Sequence, residues 1–286
     1  MDIQRRHGML KIHFLNVGKG NCTVIKLPSE RLMVVDIDNS RINDDDDVLQ
    51  CPIDFLNRTY PNESIFRFIL THPDMDHMSG LYDLDKERKI HNFWDTPHEK
   101  EMDLDRMQIG GYSRNDWLAY QKLRKASSEP KVLKLFQGGE RLSYWKEDGI
   151  KVLGPSNEMV RKAIETEEFN HLSYVLKIVH EGVSILLGGD ATKEAWRDIL
   201  AYHGADELKA NVFLAPHHGS PQNIEKDVFK HIDPQFVVVS DHRGHSYDYT
   251  YYNSLAKERV YSTKHFGNVH IEVSATKKKI YTEKGS

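Results

Sequence analysis

Six consecutive residues, His72-Pro73-Asp74-Met75-Asp76-His77, put two imidazoles and two carboxylates on one short stretch of chain. Nitrogen and oxygen donors in that number on a tight loop suit a borderline divalent ion such as zinc or manganese. The alternative for so polar a stretch is a turn whose Asp and His residues cap the next helix. Two other places offer ligand types directly after an apolar run. One is Asp190, behind Gly188-Gly189, which taken alone also suits a helix cap. The other is His217-His218, inside Pro216-His217-His218-Gly219-Ser220. Adjacent side chains point in different directions, so at most one of this pair is expected among the ligands. The other would position substrate or hydrogen-bond behind the ligands.

Each of these stretches falls where a strand should end. Phe66 to Leu70 is an apolar and aromatic run that reads as a buried strand, and Pro73 stops it. Gly80 and the run from Leu81 predict a helix on the far side. Upstream, alternation over Met9–Val17 predicts a strand, and the turn Gly18-Lys19-Gly20-Asn21 leads into a second over 22–27. A third, 31–36, ends in Asp36-Ile37-Asp38, and two hairpins in succession imply antiparallel sheet. Val48 to Tyr60 has helical spacing. Further strands are predicted over Lys131–Leu135, Arg141–Tyr144 and Ile150–Leu153, with Ser156 capping a helix to about Thr166. Ser173–Val179 and Val183–Leu187 form a hairpin around Glu181-Gly182, and a helix runs from Ala191 to about Tyr202. Strands follow over Asn211–Ala215 and Phe236–Ser240, then a helix over 249–258 and strands near 260–262, 269–274 and 278–282. Residues from about 97 to 130 carry few strand signals, with an amphipathic helix over 113–126. They read either as an inserted lid or substrate wall, or as an ordinary helix with buried aromatics. Two runs of strands, each followed by helices, suit an α/β fold, a four-layer αβ/βα sandwich with the ligands at one edge of paired sheets. No linker or repeat divides residues 1–286, so a single domain is expected.

The segment His72–His77 resembles the metal-binding signature of the metallo-β-lactamase-fold hydrolases. The commoner form has His where this chain has Asp74. The Asp form is that of the branch containing the DNA-uptake competence proteins and a phosphorylcholine esterase. Phe14 to Asn21 is similar to the opening motif of that branch, with Asn16 and Asn21 in place of Asp and Lys19 in place of Gln. Pro216 to Ser220 resembles its histidine motif, and Gly244-His245 its Gly-His-Pro segment, with Ser246 in place of proline. Asn170 and Ser173 match its Asn-x-x-Ser, where the wider family carries a third histidine; His171 is a candidate substitute. Asp36 matches the acidic residue that supports the metal loop, and Asp38 stands where the family has Gly. The resemblance implies two divalent ions, zinc or manganese. His72 and Asp74 would hold one; Asp76, His77 and His217 would hold the other, with Asp190 between them. It also implies phosphodiester hydrolysis by a metal-held hydroxide, oriented by Asp76. His218 or His245 would stabilise phosphate oxygens or protonate the leaving group.

The chain of 286 residues has a formal net charge of −4, which gives no global attraction to nucleic acid. Contacts to a nucleic-acid backbone would have to be local, from Lys19, Arg243, Lys264 and the lysines at 277–279, or these are solvated charges. Asp44 to Asp47 read as a solvated loop. Cys22 and Cys51 are too few for a disulfide framework and fit a reducing cytosol. The first seven residues are charged without an apolar core behind them, and no apolar run approaches a membrane span. A cytoplasmic protein without membrane contact is expected. The first expectation is a metal-dependent phosphodiesterase acting as a nuclease; the alternatives are a small-molecule phosphodiesterase or phosphorylcholine-type esterase, and a metal-binding regulatory subunit that acts through a protein partner.

Overall fold

Three separate apolar clusters set the architecture of the computed structural model, which describes residues 8–40, 49–105, 111–139, 147–242 and 247–285. The central cluster joins Leu10, Ile12, Phe14, Met33, Ile69 and Trp94 to Tyr174, Leu176, Ile185 and Leu214, side chains from two different sheets. A second cluster lies between the first sheet and its helices, with Val24, Val34 and Phe68 against Phe55, Leu56, Leu81, Trp117 and Tyr120. The third packs Phe213, Val237 and Val239 under Trp196, Ile199 and Tyr252. Three apolar interfaces require four layers, and helix, sheet, sheet, helix is the order found.

The first sheet contains β1 (Leu10–Phe14), β2 (Thr23–Lys26), β3 (Leu32–Val35), β4 (Ile65–Ile69), β5 (Ile90–Asp95) and β6 (Lys131–Lys134). The last two strands of the chain, β13 (Val269–Val273) and β14 (Lys278–Thr282), complete it in the order β14-β13-β1-β2-β3-β4-β5-β6. The second sheet runs β12-β11-β10-β9-β8-β7, built from β7 (Ile150–Gly154), β8 (Val175–His180), β9 (Val183–Leu187), β10 (Val212–Leu214), β11 (Phe236–Val239) and β12 (Arg259–Ser262). Each sheet is antiparallel on one side and parallel on the other. β1, β2 and β3 are joined by hairpins, whereas β3 to β6 and β9 to β12 run parallel. Parallel strands align their carboxyl ends along one edge, and loops leaving that edge are where ligands gather in such sheets.

Several predicted helices form with side-chain caps, of which Ser156 is the one expected. Ser156 accepts from Met159 N ahead of the helix Asn157–Thr166, Ser113 caps Arg114–Arg124, and Thr192 caps Lys193–His203. The helix after β3 begins at Pro52, with Pro in its first turn where no amide donor is needed. β5 has no counterpart among the predicted strands. Phe93 and Trp94 are buried on opposite faces, so the run lacks the alternation of a half-exposed strand. Arg67 inside β4 is buried because its guanidinium lies 3.1 Å from the Asp148 carboxylate and stacks on Trp94. The predicted strand Arg141–Tyr144 and the acidic run Asp44–Asp47 lie outside the described residues. Among the described residues, no helix is long and apolar enough to cross a membrane.

Candidate metal centre

The loop after β4 turns at Pro73 into a single 3-10 turn, Met75–His77, with no side-chain cap. The following helix, Leu81–Glu87, is entered through Gly80 at φ 98°. Thus the Asp and His residues of the loop do not cap either helix. Their partners explain what they do instead. Asp36, left-handed at the end of β3, accepts from Thr71 N, Thr71 Oγ1 and His77 Nδ1, each at 2.8 Å. With its proton given to Asp36, Thr71 Oγ1 accepts from His72 Nδ1 at 3.1 Å. In the neutral form, the one that can bind a metal, both imidazoles therefore hold their proton on Nδ1 and turn an Nε2 lone pair inward. His77 Nε2 and His72 Nε2 are buried without a hydrogen-bond partner among the described residues.

The second sheet brings the remaining donors. Gly188-Gly189 ends β9 and Asp190 follows, its amide donating to Ser173 Oγ at 3.1 Å; Thr192, not Asp190, caps the next helix. His217 N bonds Gly189 O, tying the loop after β10 to the loop after β9. His217 and His218 are both left-handed, at φ 49° and 54°, a conformation costing an L-residue roughly 1–2 kcal/mol. Two such residues in succession persist because the surrounding bonds impose them, as is common at functional sites. His218 Nδ1 lies 3.1 Å from the carbonyl of Ser240, which can only accept, so His218 also carries its proton on Nδ1.

Asp190 Oδ2 is the common centre. It lies 3.4 Å from His77 Nε2, 3.7 Å from His218 Nε2, 3.8 Å from His217 Nδ1 and 4.0 Å from His72 Nε2. Ligand atoms about 2.0–2.1 Å from a tetrahedral zinc ion sit about 3.3 Å apart, so these spacings fit a shared cation. Two groups of donors each converge within 4.8 Å: His72, His77 and Asp190, and Asp76, His77 and His218. Asp190 Oδ1 is also buried and partnerless among the described residues, so donors from both sheets face one volume.

The charges agree. Burial would raise the Asp190 carboxyl, but His77, His218 and His72 together hold it well below the ordinary range. Burial would lower His77, yet Asp190 and Asp36 hold it well above its usual value. His218 is lowered by burial, against Asp190 and Asp76. The site attracts positive charge, and a divalent ion meets that demand without protonating the imidazoles.

No protein-family model matches the sequence, and no curated protein matches it. Solved structures do match in shape. YhfI from Bacillus subtilis, a metallo-β-lactamase fold protein, superposes with a TM-score of 0.52 over 92% of this chain and 100% of its own, at 11% identity. Igni18, a metallo hydrolase from Ignicoccus hospitalis, gives 0.50 over 93% and 100%, at 14% identity. CmlA, a diiron β-hydroxylase from Streptomyces venezuelae, gives 0.52 over 93% of this chain and 54% of its own, at 12% identity. The fold is that of the metallo-β-lactamases. The four-layer α/β expectation is met, and the edge where the donors converge is the carboxyl edge of the parallel strands in this metallo-β-lactamase fold.

Of the residues singled out by sequence, His72, Asp76, His77, Asp190 and His218 meet in the two donor groups. Asp74 stands beside them, Oδ2 3.4 Å from His72 Nε2, with Oδ1 bonded to the Lys100 ammonium. Burial would raise Asp74, but His72 and then Lys100 hold its carboxyl well below the ordinary range. His217, which the resemblance places among the ligands, is about a third exposed and faces Asn170 Nδ2 at 3.3 Å with the same nitrogen that faces Asp190. His218, which the resemblance casts as a substrate group, is the member of the pair that shares a group with Asp76 and His77. His245 and Arg243 lie outside the described residues. His171 bonds Thr192 Oγ1 at 2.6 Å, at the helix cap. Lys277 pairs with Glu272 beside the edge strand β14. Lys100 and Tyr112, from the segment read as a lid or an ordinary helix, were not anticipated. Tyr112 Oη accepts from Lys19 Nζ at 3.0 Å, and neither residue carries a local motif that would have marked it. The helix of that segment packs Trp117, Tyr120 and Leu123 into the core, so its flanks rather than its body reach the site.

Proposed function

We propose that the protein is a metal-dependent hydrolase of phosphodiester bonds. The observation that carries the reading is the set of three imidazoles, His72, His77 and His218, each with Nδ1 committed to a protein acceptor and Nε2 turned toward Asp190. His72, with Asp74, and Asp76, His77 and His218 would hold a pair of divalent cations, with Asp190 between the two groups. When bound, such ions supply a water nucleophile active at neutral pH and positive charge on the attacked group. Imidazole with carboxylate suits zinc, manganese and iron alike, and a fold shared with a diiron β-hydroxylase does not fix the reaction. Phosphoester hydrolysis is favoured by the motif resemblance, in which Asn170 and Ser173 stand beside His217 and Asp190.

Asp76 orients the attacking water and accepts its proton at Oδ2, which lies 3.9 Å from His218 Nε2. On the same flank, burial would lower Lys19, but its bond to Tyr112 and the charges of Asp76 and Asp38 hold its ammonium above the ordinary range. That ammonium binds a non-bridging phosphate oxygen. A cavity of about 520 Å³ adjoins Asp74 and takes the rest of the substrate. Among the described residues its lining sets Asp74, Glu99, Glu101, Glu167 and Glu168 against the one cation Lys100, a balance that repels a polyanionic strand and favours a small phosphodiester over nucleic acid.

Incubation with Mn²⁺ or Zn²⁺ and a chromogenic phosphodiester, single-stranded DNA, double-stranded DNA or RNA tests the reading. The expected result is metal-dependent, chelator-sensitive turnover of the small ester, with the polymers cut slowly. Asp76→Ala and His218→Ala lose turnover by at least about a thousandfold while remaining folded. His217→Ala lowers turnover but keeps more of its bound metal than His218→Ala; equal metal loss in both would place His217 in the ligand set. Folded, metal-loaded protein inert on all four substrates would sink the hydrolase assignment and leave the regulatory subunit.

A further inference from the structure

We infer that Lys100 is a built-in competitor for one of the two metal positions, so that the centre binds one divalent ion tightly and a second only as Lys100 withdraws. This rests on the metal-centre reading above. His77 belongs to both donor groups, but its Nδ1 is bonded to Asp36, which leaves one ring nitrogen for a metal. The two groups therefore cannot both be completed through His77. If His77 serves the ion of Asp76 and His218, the other ion retains His72 and a share of Asp190 and depends on Asp74. Asp74 is the carboxylate that already carries a cation, the ammonium of Lys100 on Oδ1.

The ammonium is held there by construction. Its side chain is 16% exposed and its Nζ lies 5.0 Å above the ring of Phe169. Its amide donates to His98 Nδ1 at 3.0 Å, and His98 Nε2 meets Tyr120 Oη, which donates to Asp95. Asp95 also receives Arg124 Nε at 3.0 Å. This buried chain of bonds fixes the turn at 98–100 against the helix Arg114–Arg124, so Lys100 is presented to Asp74 from a rigid base. Asp74 Oδ2 already stands 3.4 Å from His72 Nε2, but the ammonium on Oδ1 neutralises that carboxylate and repels an incoming dication, so the second ion binds well only as the ammonium moves away. The displaced ammonium has partners at hand, because the neighbouring cavity is lined by Glu99, Glu101, Glu167 and Glu168.

Titration of the metal-free full chain with Mn²⁺ or Zn²⁺ alone, followed by calorimetry and native mass spectrometry, reads the stoichiometry without reference to turnover. Wild type is expected to bind one ion tightly and a second weakly. Lys100→Met should tighten the second on the order of tenfold, about 1.4 kcal/mol, and leave the first unchanged. Lys100→Arg, which keeps the charge, should behave as wild type, and Asp74→Asn should lose the second ion with or without Lys100. Equal second-ion affinity in wild type and Lys100→Met, or two equally tight ions in wild type, overturns the competition while leaving the metal centre standing. Absence of any bound ion in wild type overturns the metal centre itself.

Discussion

Asp36 belongs to neither donor group, yet it sets the direction of two of their histidines. It accepts from His77 Nδ1 and, through the Thr71 hydroxyl, fixes His72. An imidazole without such a partner can rotate or exchange tautomers, and either change removes the lone pair from the ion. Asp36→Asn is nearly isosteric but offers one acceptor where the native carboxylate has two. Metal affinity should fall by about 10- to 100-fold, with far-UV and near-UV dichroism unchanged. The check is a Mn²⁺ or Zn²⁺ titration of wild type beside the variant. Equal affinity would mean that the orientation of His77 and His72 is imposed by packing alone.

The turn between β1 and β2 braces the metal loop from outside. Asn21 N donates to the carbonyl of Asp76, and Gly20 N donates to Asp38 Oδ2 at 2.9 Å. A β-carbon on Gly20 would stand 1.9 Å from the Asp76 carbonyl oxygen and 2.5 Å from Asp38 Cβ, so the two backbones approach as closely as only glycine permits. Gly20→Ala should cost about 1–3 kcal/mol in urea unfolding and weaken metal binding, because the loop that carries Asp76 has to move. A variant unchanged in both would show that this turn does not brace the loop. Much of this element was legible beforehand: glycines of the opening turn, the strand ending at Leu70 and Asp190 behind two glycines are local signals. The histidine pair was legible only as a pair. Choosing between His217 and His218 needs the left-handed backbone that directs them and the Ser240 carbonyl that fixes one of them, and neither is a local property. β5 was hidden because both of its faces are buried, and Lys100 because its partner, Asp74, is 26 residues away.

On its hairpin side, the first sheet holds a second cluster of imidazoles whose titration makes the stability of the molecule depend on pH. His13 on β1 and His270 on β13 are paired across the strands, with Nδ1 to Nδ1 at 2.7 Å, and His13 Nε2 meets Tyr60 Oη at 2.7 Å. One ring must donate and the other accept, so the arrangement requires both neutral or at most one charged. Burial, the neighbouring His270 and Lys11 lower His13 to about 3, outweighing Glu272. Burial likewise lowers His270, against Glu283 and Glu272. In the unfolded chain a histidine titrates near 6.5. Between pH 6.5 and 3 the unfolded state therefore binds protons that the fold refuses, and stability falls as pH falls. For His13 the loss amounts to about 2 kcal/mol at pH 5, and nothing is lost above pH 6.5. Asp38 acts in the opposite sense. Burial raises it to about 6, so between pH 4 and 6 the fold keeps a proton that the unfolded chain has released, and its contribution falls as pH rises. The informative quantity is thus the difference between wild type and the double variant His13→Gln, His270→Gln, both metal-free, in urea unfolding at pH 7.5, 6.5, 5.5 and 5.0. The variant should be the less stable at pH 7.5, where the ring packing against Phe55 is lost. The gap should narrow by at least about 2 kcal/mol on reaching pH 5, because the variant has no imidazole pair to protonate. A gap that stays constant across the series would mean that these rings are protonated as readily in the fold as in the unfolded chain, and that acid acts on the molecule through other groups.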